Sequence, residues 1–289
     1  MATPAVLAVL ALVLAGPASY ALGLLPVLRR TPRAAMVLWQ AVALAAVLAA
    51  LGAGLSLGTE RGMGAHGAGS YAVALVALLA TVTVLARLLL SGHLVGTRLR
   101  RLRRRHRDLL DLLADVDSRS EELRVLHAGA PMAYCVPAVT GSRVVVSEAT
   151  LGRLGAVELD AVMAHERAHL RARHDLVLEA FTVLHEAFPA VVTSRRALAE
   201  VRLLVEVLAD RAARHRVGTR PLVRALSELA GASPPEAALG ATHGIGERLA
   251  VLLDERPHRL QAGLVFALAA AVLLVPTALV VAPWLAQVM

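Results

Sequence analysis

Lysine is missing from this sequence: all 30 basic side chains are arginine. In a chain rich in Ala, Val and Gly, that bias reads as a GC-rich genome and carries little functional weight. Cysteine occurs once, at Cys135. An intramolecular disulfide and a cysteine-based zinc site are both excluded, so any metal must be held by His and carboxylates. Aromatic residues make up only 3%. The 57% hydrophobic content is therefore largely Ala, Val and Leu, which suits helices better than β-sandwiches or barrels. The long apolar runs hold almost no ionisable residue beyond Arg87, which argues against a transport path.

What is present is enough apolar sequence for several membrane-spanning helices, each needing about 20 residues. Four segments qualify: about 4–28, 34–57, 71–95 and 260 onward, the last with Pro276 inside it. The first contains Gly16-Pro17 but lacks a basic n-region and is followed closely by two more spans, so it reads as retained rather than as a signal peptide. Arginine placement sets an orientation. Arg29, Arg30 and Arg33 follow the first span, and "RLRRLRRRHR" (98–107) follows the third. Arg256 and Arg259 precede the fourth, whereas the loop between the second and third has Arg61 offset by Glu60. The positive-inside rule then expects both termini outside and residues 97–259 in the cytoplasm. The division expected is 1–96 (three spans), 97–259 (a cytoplasmic domain) and 260–289 (a fourth span and short outer tail).

The run at 98–107 reads first as a topology anchor at anionic headgroups. It has no interleaved aromatics, so direct nucleic-acid binding is not expected. Within 97–259 the pattern is mostly helical, at about 98–127, 156–173, 175–188, 194–216, 219–231 and 245–255. "SPPEA" from Ser233 marks a loop. The exception is β-branched "RVVVS" (Arg143–Ser147), which reads as a strand. It is either a plain core strand or an exposed edge on which an extended peptide could be bound.

Chemistry concentrates in "AVMAHERAHLRARHD" (161–175). On a helix, His165 and His169 are one turn apart on one face, where both imidazoles can reach one ion. Glu166 is placed to take a proton from water at the open coordination position. A third ligand should come from another helix, and "RLLVEVLADRAARH" offers Glu206, a carboxylate in an apolar run that is expensive to bury unless paired or metal-bound. Taken alone, Arg202, Glu206, Asp210 and Arg214 could equally be a solvated charged stripe. The upstream motif tips the balance toward ligation by Glu206, with Asp210 accepting the second N–H of a ligand histidine. His174 and His215 are weaker candidates for polarising a substrate oxygen.

Three spans, "VVVSEATLGRLGAVELDAVMAHERAHLRARHD", "VEVLADRAA" and a closing span together resemble the integral-membrane zinc metallopeptidases of the BlaR/MecR antirepressor type. The resemblance implies a mainly α membrane protein whose cytoplasmic, gluzincin-like peptidase domain contains a short β-sheet. It also implies Zn2+ on His165, His169 and Glu206 with Glu166 as catalytic base. Sensor members are linked to cleavage of a penicillinase-repressor-type, winged-helix repressor, which makes such a protein the expected substrate and membrane lipid the other partner. Those members continue into an extracellular penicillin-binding domain after the last span, which this sequence lacks, so direct β-lactam binding is not expected. The expected location is a bacterial plasma membrane. Two rival readings are an HtpX-like quality-control protease and a non-catalytic receptor or scaffold with a structural metal site, for which an intact Glu166 would be superfluous.

Overall fold

The computed structural model describes residues 2–64, 67–117, 120–189, 194–230, 239–240, 244–254 and 256–288. Its elements are α1 (Ala2–Val13), α2 (Ser19–Leu22), α3 (Pro32–Met63) and α4 (Ala68–Leu113), then β1 (Ala114–Val116), β2 (Leu123–Leu126), β3 (Ala133–Val136) and β4 (Arg143–Ser147). They continue with α5 (Glu148–Arg153), α6 (Ala156–Ala172), α7 (His174–Ala187), α8 (Ser194–Val217), α9 (Thr219–Glu228), β5 (Leu239–Gly240), α10 (Ile245–Leu253) and α11 (Arg259–Val288). The loop expected at 233–237 lies outside the described residues.

Two compact units group these elements. One comprises 1–93, 181–200 and 258–289 and holds four stretches long and apolar enough to cross a membrane: Thr3–Leu22, Pro32–Met63, within Ala68–Leu113, and Arg259–Val281. In the first stretch a π-helical turn at Leu14–Ala18 accommodates Pro17 without ending the helix. Phe181–Glu200 groups with these apolar helices. Polar groups of the apolar helices tie it there: Arg87 Nε donates to Ala187 O at 3.0 Å, Ser91 Oγ to Val183 O at 2.9 Å, and Arg29 pairs with Glu200 at 2.5 Å.

The other unit, 94–180 and 201–257, is built on a five-stranded sheet in the order β1-β2-β4-β3-β5. β2 and β4 are parallel and the remaining pairs antiparallel. Two expectations are corrected by this sheet. The helix expected over 98–127 ends at Leu113, and β1 and β2 take up half of the remainder as an antiparallel pair, Ala114 opposite Leu126. The polar run from Asp117 to Glu122 favours a turn, and beyond it Leu123 and Arg124 are buried, paired with Val144 and Val145 of β4. The edge-strand alternative for Arg143–Ser147 also fails: β4 is central, flanked by β2 and β3, and Val144, Val145 and Val146 are fully buried. An apolar run without alternation is what a strand covered on both faces requires. Cys135, Val144 and Val146 pack on Val162 and Met163 of α6, on Ala225 of α9 and on Leu229 just past its end. Tyr134, Val136 and Val145 pack on Leu110 of α4. Gly141, at φ 68°, supplies the left-handed residue that turns β3 back into β4.

Candidate metal centre

α6 carries the motif, and its sequence explains its bounds. The Glu158 carboxylate reaches back to accept the Gly155 N–H at 2.7 Å, tying down the N-terminus. Arg173, in the left-handed region at φ 50°, ends the helix. Ala161 and Ala164 join a cluster with Ala213 of α8, Leu222 and Leu226 of α9, and Leu252 of α10. Small side chains on both α6 and α8 let the two helices approach closely, so α8 can present carboxylates to the α6 histidines.

They meet where a single ion would fit. His165 Nε2 and His169 Nε2 are 3.1 Å apart. Glu206 Oε2 lies 3.4 Å from the first and Oε1 3.6 Å from the second. All three residues are buried, and one ligand atom from each lies within 4.8 Å of the others. Two imidazole nitrogens and one carboxylate oxygen are a donor set that zinc accepts while leaving a fourth position open. A further observation supports the fit. Glu166 is fully buried, and apart from the Cys135 thiol neither of its oxygens meets a donor among the described residues. A carboxylate left so bare needs a cation or a proton beside it.

Electrostatics divides the site into distinct protonation states. Burial pushes the Glu166 carboxyl up to about 7, with the nearby Glu206 charge adding to the effect. Burial would push His165 down, but the Asp210 and Glu206 carboxylates reverse this and raise it to about 10. No carboxylate offsets the burial of His169 in this way, Glu206 Oε1 standing 3.6 Å off. Burial and the neighbouring His165 and His174 rings hold it well below its ordinary value, in the neutral form that ligates metal.

Behind the three converging groups lies a buried shell. Asp210 Oδ1 is 2.9 Å from His165 Nδ1, the ring atom turned away from Glu206. His174 Nδ1 is 3.1 Å from His169 Nδ1, so His174 stands behind a ligand candidate, and burial holds its ring down at about 4. The neutral His174 ring can accept the Nδ1–H of His169 and leave Nε2 free to ligate. Asp175 beside it is buried and contacts Arg173 at 3.1 Å and Arg103 at 3.3 Å. One member of the arginine run is thus committed to a buried carboxylate. His215, the other weaker candidate, is exposed near the end of α8.

Sequence reasoning missed Arg248. It is fully buried on α10, donates to both Asp210 oxygens at 2.6 and 2.7 Å, and places Nη1 3.2 Å from Glu206 Oε2. The available signal was slight: one Arg, next to Glu247, in an otherwise apolar nine-residue helix, 42 positions from Glu206.

Residues 97–219 match the family model described as peptidase family M48. The matched stretch covers α6, α7 and α8, hence both motif histidines, Glu166, Glu206 and Asp210, and ends before Arg248. No curated protein and no solved structure matches the chain.

Proposed function

We propose, starting from the peptidase-family domain at residues 97–219, that this chain is a membrane-anchored zinc-dependent endopeptidase. The observation carrying this reading is the convergence of His165, His169 and Glu206 from two helices, with the otherwise bare Glu166 carboxylate beside them. Zinc held by those three residues would supply Lewis acidity at the scissile carbonyl and a more acidic attacking water.

The remaining work falls to the protein's own groups. Glu166, raised to about 7 by burial, takes a proton from the attacking water and hands it to the departing amine. Asp210 and His174 contact the Nδ1 atoms of His165 and His169 and fix both rings. Arg248 favours the ionised form of Asp210 and holds both Asp210 and Glu206 in place. A purely structural site would gain nothing from an unpaired buried carboxylate, which favours catalysis over the scaffold reading.

We further infer a multi-pass protein of the bacterial plasma membrane, with both termini outside and the peptidase domain in the cytoplasm. The four apolar stretches and the arginine distribution support this. The substrate proposed is a regulatory protein, namely a winged-helix repressor of the penicillinase-repressor type. Comparing proteomes of cells carrying the wild-type chain and Glu166→Gln tests the assignment. One intact repressor-like protein accumulating in the variant is the expected result. Accumulation of many misfolded membrane proteins would replace regulation with quality control, and no difference would remove the peptidase assignment.

A further inference from the structure

Among the apolar helices lies a half-open apolar pocket of about 300 Å³, lined in part by Leu14, Trp39, Val47, Phe181, Leu184 and Phe188. That is room for roughly ten water-sized volumes at ~30 Å³ each, far beyond the voids that close-packed interiors leave. Water is a poor occupant. The wall is almost wholly aliphatic and aromatic, and its serine, Ser19, already donates its Oγ to Leu14 O at 2.7 Å. Apolar cavities of this kind take apolar guests.

The rim is not apolar. Ala197 and Ser19 belong to the wall, and their chain neighbours Arg196 and Tyr20 stack on one another, the guanidinium carbon 4.6 Å from the ring centroid. Gly23 gives the arginine stem its place, because a Cβ there would come within 2.5 Å of Arg196 Cδ. Nearby Arg29 is neutralised by Glu200. Among the described residues no carboxylate pairs with Arg196, whose chain neighbour Ala197 lines the apolar chamber. A greasy interior with one fixed cation at the rim complements an amphiphile with an anionic head.

We propose that this cavity holds one acyl chain of an anionic membrane phospholipid, with Arg196 at the headgroup phosphate. The inference depends on the four apolar helices spanning a bilayer, and is independent of the zinc chemistry because lipid retention is read without a peptidase assay. A chain soluble without detergent would defeat the spanning reading itself, which separates that failure from failure of the lipid site.

The test uses the full chain in nanodiscs of equimolar phosphatidylglycerol and phosphatidylcholine, released into mild detergent for native mass spectrometry. Wild type should retain one phospholipid, predominantly phosphatidylglycerol. Ala46→Leu, which narrows the chamber, should lower occupancy severalfold. Arg196→Gln, which leaves the chamber's volume alone, should keep a lipid bound but cut the preference for phosphatidylglycerol by about fivefold, the scale of one basic side chain at a lipid surface. Equal lipid retention by wild type and Ala46→Leu, or an unchanged headgroup preference in Arg196→Gln, overturns the proposal.

Discussion

Arg248 holds Asp210 with two parallel hydrogen bonds, 2.6 and 2.7 Å, across 38 residues of sequence and with both side chains fully buried. Through Asp210 the pair reaches His165, and through its third nitrogen Arg248 reaches Glu206. A buried, forked arginine–carboxylate pair is geometrically demanding, and removing one partner leaves the other uncompensated. Arg248→Met should therefore destabilise the fold by about 3–5 kcal/mol and weaken zinc binding about 10–100-fold. Thermal unfolding and competition against a zinc chelator measure the two effects. A variant with unchanged zinc affinity would reduce Arg248 to a packing residue.

Glu166→Gln keeps the volume and removes the proposed base. Zinc content by elemental analysis should stay at wild-type level, while proteolysis falls about 10²–10⁴-fold. Wild-type turnover in this variant would assign the proton transfer elsewhere.

His169→Ala removes a ligand with no spare donor behind it, because His174 contacts the opposite ring nitrogen. The purified variant should carry little zinc, and adding zinc should leave its melting temperature unchanged while raising that of wild type. Full metal retention would break the ligand set.

Zinc uptake should release a proton. His165, raised to about 10 between Asp210 and Glu206, is charged at pH 8 in the metal-free protein and must be neutral to ligate. Calorimetry at pH 8 in two buffers of different ionisation enthalpy should report about one proton per zinc. A buffer-independent heat would contradict the coupling.

In chelator, stability should depend on pH from both sides. The His165 contribution is complete below its ordinary value of 6.5 and is lost as pH rises through about 10. His169 and His174 shift downward, so their contribution is present above 6.5 and lost as pH falls below it. Melting of the metal-free protein should thus peak near neutral pH and decline on either side. A melting temperature still climbing from pH 7 to 10 would mean that His165 is not held between its two carboxylates.

The candidate site was legible to the extent that it is local. Helical geometry alone puts His165 and His169 on one face, and the cost of burying Glu206 within an apolar run marks it as paired. The four membrane-length apolar helices were legible too, because length and hydropathy are properties of each segment separately. The strand at Arg143–Ser147 announced itself by its β-branched run, but not its central position, since pairing partners are chosen by the whole sheet. Leu123–Leu126 read as helix for the same reason: its strand conformation comes from hydrogen bonds to β4 and not from its own preference. His174 behind His169, Arg103 on Asp175, and Arg248 across Asp210 and Glu206 were set by helix packing and by the turn at Arg173, where a chain reversal brings together groups that no periodicity relates. By itself, then, the sequence determined the metal-binding vocabulary and the apolar segments, because each depends on spacing within one helix. The tertiary structure alone decided which buried charges stand behind that vocabulary, because a carboxylate or guanidinium can be buried only where distant helices supply its counter-charge.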